Sequence, residues 1–186
     1  MDVIAEHNNK VKVFHDIVGC AMDVYNEYNH GLSEYPYQYG LKHLLKKLGY
    51  TVETECKLPL YLFGEKLEEF YRCDVVMLRE EGNIIIECKA VKFIDEGHRD
   101  QLRNYMLLTH CPFGILINFC KARHQIFSEV YHYVESSHEV ELYDTRYIGY
   151  MHDNIEKPWQ TYLDAKKKKE PSHYVHHISI NNKREI

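Results

Sequence analysis

Asp74, Glu87 and Lys89 are the residues of this sequence whose types and spacing could do chemistry. Gly82 to Ala90 reads GNIIIECKA, three isoleucines leading into Glu87-Cys88-Lys89. Side chains alternate faces along a strand, so Ile85, Glu87 and Lys89 point one way. Ile84, Ile86, Cys88 and Ala90 point the other way, into apolar packing. Arg79-Glu80-Glu81-Gly82 reads as a turn, and a hairpin closed on it sets Leu78 against Asn83 and Asp74 opposite Glu87. Directly opposed residues hold their Cβ atoms ~4.5–5.5 Å apart, and like charges there destabilise a sheet. Two carboxylates so placed need a cation between them, or one must take up a proton. A hard divalent ion on oxygen ligands, Mg²⁺ or Mn²⁺, resolves the conflict. Lys89, on the same face, could then reach a substrate oxyanion or an attacking water. Two conditions attach. A one-residue slip would send Asp74 to the opposite face from Glu87, and so short a pattern also describes an ordinary surface ion pair on an exposed strand.

The elements that must position these residues are legible from periodicity. Val11, Phe14, Ile17, Val18, Ala21, Met22 and Tyr25 recur at helical steps. Asn29-His30-Gly31 ends that helix with a residue tolerant of positive φ. Ser33 is placed to cap a second helix, with Pro36 in its first turn and Tyr37, Leu41, Leu44, Leu45 and Leu48 as its core stripe; Gly49 stops it. The period then falls to two: Val52, Thr54, Cys56 and Leu58 alternate with Glu53, Glu55 and Lys57. A turn at Phe63-Gly64-Glu65-Lys66 leads to a strand from about Leu67 to Leu78, and a third strand covers Asn83 to Ala90. A helix from about Gly97 to Thr109 and a buried strand from Phe113 to Phe119 complete the order α, α, β, β, β, α, β. After Ser128 the signal weakens. Tyr131, Tyr133, Tyr143, Tyr147, Tyr150 and Trp159 suggest a packed extension, which divides the chain into a domain over 1–127 and an extension over 128–186.

Totals bound the function class. A chain of 186 residues with 45% hydrophobic content has enough for one real core. Its formal charge of -5 gives no global basic field for nucleic acid, although a local cleft can differ in sign from the whole. The six cysteines form no CxxC pair, and no signal peptide is evident. They read as reduced thiols of a cytoplasmic protein. No apolar run approaches the ~20 residues of a membrane span. Lys166 to Lys169 reads as a solvated helix end or linker, with a phosphate-contacting patch as the alternative. His173, His176 and His177 lack a cysteine or acidic partner at zinc-ligand spacing.

Asp74 followed by Glu87-Cys88-Lys89 after an apolar strand resembles the D…(D/E)xK signature of the PD-(D/E)xK nuclease superfamily. The α-β-β-β-α-β order is similar to that superfamily's restriction-endonuclease-like core, here with an extra N-terminal helix and a C-terminal extension. Gly31-Leu32-Ser33-Glu34-Tyr35-Pro36-Tyr37 matches G-x-x-E-x-x-Y, the element that names the GxxExxY family within it. His98-Arg99-Asp100-Gln101-Leu102-Arg103-Asn104-Tyr105 is similar to that family's H-x-x-Q-L-x-x-Y helix, and Gln101 to Tyr105 also resembles the Q-x-x-x-Y motif of RecB-type nucleases. The resemblance spans Val11 to Phe119. It departs at Cys73, where a proline often precedes the first aspartate.

The resemblance implies an α/β fold and a metal-dependent nuclease acting on DNA, in repair, recombination or defence. Asp74 and Glu87 would bind Mg²⁺ or Mn²⁺, with the backbone carbonyl of Cys88 a third ligand and Glu34 a direct or outer one. Lys89 would orient or help deprotonate the water, or neutralise charge on the phosphate. Gln101 and Tyr105, four apart on one helix face, would hold the lysine, the water or a phosphate. Each has a plainer alternative: Glu34 at a helix N-terminus is favourable against the dipole whatever its function, and Gln101 and Tyr105 could simply be polar tips at a domain edge. Tyr37 reads as structural, and His98 as a phosphate contact or an exposed helix start. A catalytically silent nuclease-fold protein that binds nucleic acid or a protein partner is the rival reading. A small-molecule hydrolase or an RNA-processing enzyme with the same metal site is a third. Homodimerisation is open.

Overall fold

A computed structural model describes residues 3–28, 31–120 and 126–143. Three helices and six strands follow in the order α1 (Val3–Tyr28), α2 (Glu34–Lys47), β1 (Thr51–Leu62), β2 (Glu65–Leu78), β3 (Ile84–Lys89), α3 (Glu96–Thr109), β4 (Phe113–Phe119), β5 (Ile126–Val134) and β6 (Glu139–Tyr143). The strands form one sheet in sequence order, β1 to β6. All neighbours are antiparallel except β3 and β4, which are parallel and joined through α3. The mixed α/β architecture expected from the sequence, a restriction-endonuclease-like α-β-β-β-α-β core behind an extra N-terminal helix, is the one observed.

Apolar residues on the two faces of the sheet feed separate cores. Ile84, Ile86 and Cys88 pack with Val52, Val75, Met77, Ile115 and Ile117 beneath α1 and α2. Ile85 packs with Val76, Leu116, Leu102, Tyr105 and Met106 beneath α3. The alternation read along GNIIIECKA is therefore the one that divides the molecule. α1 buries Val13, Phe14, Ile17, Cys20, Ala21, Val24 and Tyr25, whereas Met22, expected inward, is exposed. Two close approaches need glycine. A Cβ on Gly40 would lie 2.7 Å from Val24 Cγ1, so this position lets α2 close on α1. A Cβ on Gly114 would run into Met106 Sδ and approach Leu102 Cδ1 to 2.9 Å, so β4 lets α3 lie flat.

Gly49, with φ +92, follows the C-cap Leu48 and stops α2 as expected; Ser33 is the N-cap, but its side chain makes no capping hydrogen bond. β1 and β2 run longer than their periodicity suggests and meet at Phe63-Gly64, both left-handed (φ 51 and 85), as a two-residue hairpin loop demands. The β2–β3 register is that predicted: Val75 faces Ile86, Val76 faces Ile85 and Met77 faces Ile84. The boundary expected after residue 127 falls inside β5, which pairs with β4 from Ile126 to His132, and β6 pairs with β5 in turn. Residues 126–143 thus belong to the same sheet as the motif strands. Lys166–Lys169, His173, His176, His177 and the aromatic residues Tyr147, Tyr150 and Trp159 lie outside the described residues.

Candidate active site

The β2–β3 ladder ends at Val75–Ile86. Continued one step, the same register would set Asp74 against Glu87. Instead β2 parts from β3 there, and Asp74 Oδ2 accepts the Cys88 N–H at 2.8 Å, its side chain replacing a carbonyl of the ladder. Glu34, first residue of α2, reaches the far end of β3, where its Oε1 accepts the Ala90 N–H at 3.2 Å. Two carboxylates from separate elements are thereby tied to the backbone on either side of Lys89.

Glu87 is wholly buried and Lys89 nearly so. Lys89 Nζ donates to Glu87 Oε1 at 2.6 Å and to Gln101 Oε1 at 2.8 Å. Gln101 Nε2 in turn donates to Tyr105 Oη at 2.8 Å. The pair four apart on α3 therefore acts as a relay, Tyr105 holding the amide and the amide holding the ammonium. Tyr105 packs its ring 5.7 Å from that of Tyr71. α3 itself is anchored by a capping box: Asp95 Oδ1 accepts the His98 N–H, and His98 Nδ1 accepts the Asp95 N–H. His98 thus serves the start of the helix. Tyr37 is buried and stacked on Phe119 at 4.3 Å, the structural part expected of it.

Electrostatics set the two acids against each other. Burial raises the Asp74 carboxyl to about 6, against the hydrogen bond from Cys88 and the charge of Lys89. Burial and then the neighbouring Asp74 raise Glu87 to about 7, despite its contact with Lys89. Burial opposes the charge of Lys89, but Glu87, Asp74 and Glu34 outweigh it, and the ammonium is held more firmly than usual. The two acids repel, and the single lysine does not satisfy both.

Among the described residues no group of three or more His, Cys, Asp or Glu side chains is arranged to hold a metal ion. The donors that do converge still fit a small hard cation, which is commonly held by one or two carboxylates, with water and substrate oxygens completing the shell. Glu87 Oε2 is buried without a hydrogen-bond partner, an orphan acceptor that a cation would satisfy. Cys88 can offer only its carbonyl, because its thiol lies in the opposite core and burial keeps it protonated. Glu34 sits near enough to raise the carboxyls of Asp74 and Glu87.

Asn118 went unnoticed in the sequence. It is buried at the end of β4 beside Lys89, its register partner. Its amide binds the Val91 N–H at 3.0 Å and the Val91 carbonyl at 3.1 Å, fixing the chain that leaves β3. The signal was a lone amide in the apolar run FGILINF.

No helix among the described residues is long and apolar enough to cross a membrane. No curated protein matches the chain. A solved structure, the crystal structure of SSO0001, aligns with 21% identity over 61% of this chain and 64% of that one, at a TM-score of 0.32. The chain thus spans less than two thirds of that protein's length, a likeness too slight to bear on activity. The model of the PD-(D/E)XK nuclease superfamily matches residues 11–130, which take in both acids, the lysine and the Gln101–Tyr105 helix, and the chain belongs to that superfamily.

Proposed function

We propose that this protein is a metal-dependent nuclease that hydrolyses phosphodiester bonds of DNA. The observation that carries the reading is Lys89 held between Glu87 and Gln101 while the second oxygen of Glu87 is left buried and unpartnered. Asp74 and Glu87 would hold Mg²⁺ or Mn²⁺, with the Cys88 carbonyl beside them and Glu34 in an outer position. Bound there, the ion supplies Lewis-acid polarisation of the phosphate and activation of water. The protein's own groups do the rest. Lys89 presents an ammonium to the attacking water or to the charge that grows on the phosphate oxygens. Gln101 fixes that ammonium in place, and Tyr105 fixes Gln101. Gly31, Glu34 and Tyr37 support a finer placement with the GxxExxY proteins, and six free cysteines are in keeping with a reducing, cytoplasmic setting.

The test compares purified wild type with Glu87→Ala and Lys89→Ala on linear, circular, single-stranded and double-stranded DNA, with Mg²⁺ or Mn²⁺ and with chelator. Metal-dependent cutting that both variants lose is expected. Binding without cutting in the wild type would overturn the reading in favour of a silent nucleic-acid-binding protein.

A further inference from the structure

The face of the sheet that carries the acids also carries a cleft the catalytic reading does not use. We propose that this cleft receives an unpaired base of single-stranded DNA, next to the phosphate engaged at Lys89. The inference rests on the nuclease reading and specifies the form of its substrate.

The placement follows from the ladders. Lys89 pairs with Asn118 across β3 and β4, and Asn118 pairs with Phe127 across β4 and β5. Register partners share a face, so the three form a row across the sheet. Neighbouring strands lie ~4.8 Å apart, which sets Phe127 about 10 Å from Lys89. A cleft of about 250 Å³ opens at this end of the sheet, with Lys92, Phe93, Arg99, Asn118, Cys120 and Phe127 in its walls. It lies beyond the carboxyl ends of the parallel pair, where open sheets receive ligands.

Its lining suits one base and one phosphate. Phe93 is 63% exposed and Phe127 42%, so two phenyl rings of the cleft face water, Phe127 two strands across from Lys89. Bases stack on such rings whatever their identity, but only when lifted out of a duplex stack. Lys92 Nζ lies 5.4 Å from the Phe93 ring centre and, among the described residues, has no carboxylate partner. Its charge remains available to a phosphate. Arg99, in contrast, is committed: it grips Glu129 through Nε and a terminal nitrogen, both at 2.9 Å. The cleft is also shaped in advance. Asn118 clamps both backbone groups of Val91, and Cys120 Sγ donates to the Lys92 carbonyl at 3.6 Å.

The experiment uses the full chain with Glu87→Gln, so that DNA is held and not cut. It is mixed with a short single strand carrying 2-aminopurine and, separately, with the duplex of that strand. Phe93→Ala should weaken single-strand binding about five- to a hundred-fold and abolish quenching of the probe, with duplex affinity unchanged. Phe93→Trp should keep both binding and quenching. Lys92→Ala should make the salt dependence of single-strand binding shallower by about 0.7 in logarithmic slope. Circular dichroism and melting temperature check that each variant is folded. The cleft is overturned if Phe93→Ala leaves single-strand binding intact, if it weakens single strand and duplex alike, or if Phe93→Trp behaves as Phe93→Ala. Wild-type cutting is read separately. Phe93-dependent quenching by a protein that cuts nothing keeps the cleft and removes the nuclease; cutting without such quenching does the reverse.

Discussion

At the residue scale the site is two acids beside one lysine. Asp74 and Glu87 have folded-state values of about 6 and about 7, above those of free carboxyls. An acid whose value rises on folding binds its proton more tightly in the native state, so its contribution to stability is full below the unfolded value and is lost as pH climbs through the folded one. Melting measured without divalent metal should therefore show stability falling from about pH 4 to about pH 7 on account of this pair, and Glu87→Gln should flatten that fall while abolishing cleavage. An unchanged profile in Glu87→Gln would contradict the assignment. The Cys88 amide supplies a second readout. Because it donates to Asp74, its proton resonance should titrate with a midpoint near 6, and Asp74→Asn should remove the titration. Glu87 and Lys89 were legible in the sequence because strand alternation sets polar residues two apart in an apolar run on one face, and the hairpin register added Asp74. The bond from Cys88 to Asp74 was not legible, since it depends on β2 leaving β3 one residue early.

At the element scale α3 is the positioning device. It brings Gln101 and Tyr105 over β3 only because Gly114 lets it approach and Asp95 caps it. Gly114→Ala forces Met106 and Leu102 to shift, and overpacking of this kind costs about 1–3 kcal/mol. Chemical denaturation should show that loss, together with a drop in cleavage, because the relay to Lys89 moves with the helix. Asp95→Ala should cost about 1 kcal/mol through loss of the cap and affect cleavage less. A Gly114→Ala protein as active as wild type would remove α3 from the positioning role. β4 was readable to the residue, being apolar but for Asn118. β5 and β6 were read only as a packed extension. Their sequences, IFSEVYHYV and EVELY, mix tyrosine, histidine and acids on half-exposed faces, so the contrast that marks a strand is weak.

At the scale of the whole molecule the formal charge is -5, so the attraction to DNA that the proposed function requires would be local. On the proposed reading, a cation that relieves Asp74 and Glu87 would serve binding as well as cutting. Mg²⁺ or Mn²⁺ should raise the melting temperature more at pH 8, where both acids are ionised, than at pH 5, where both are largely protonated. Asp74→Asn should lose most of the rise, and an equal rise at both pH values would point to binding elsewhere. The sheet is one layer thick, yet it keeps two societies of side chains apart. Ile84, Ile86 and Cys88 hang on one side with α1 and α2; Glu87 and Lys89 stand on the other with α3. Libraries that rebuild the α1–α2 side, Glu34 apart, can therefore tune robustness with little effect on chemistry, and variants selected for altered cutting should collect at Glu34 and on the α3 side.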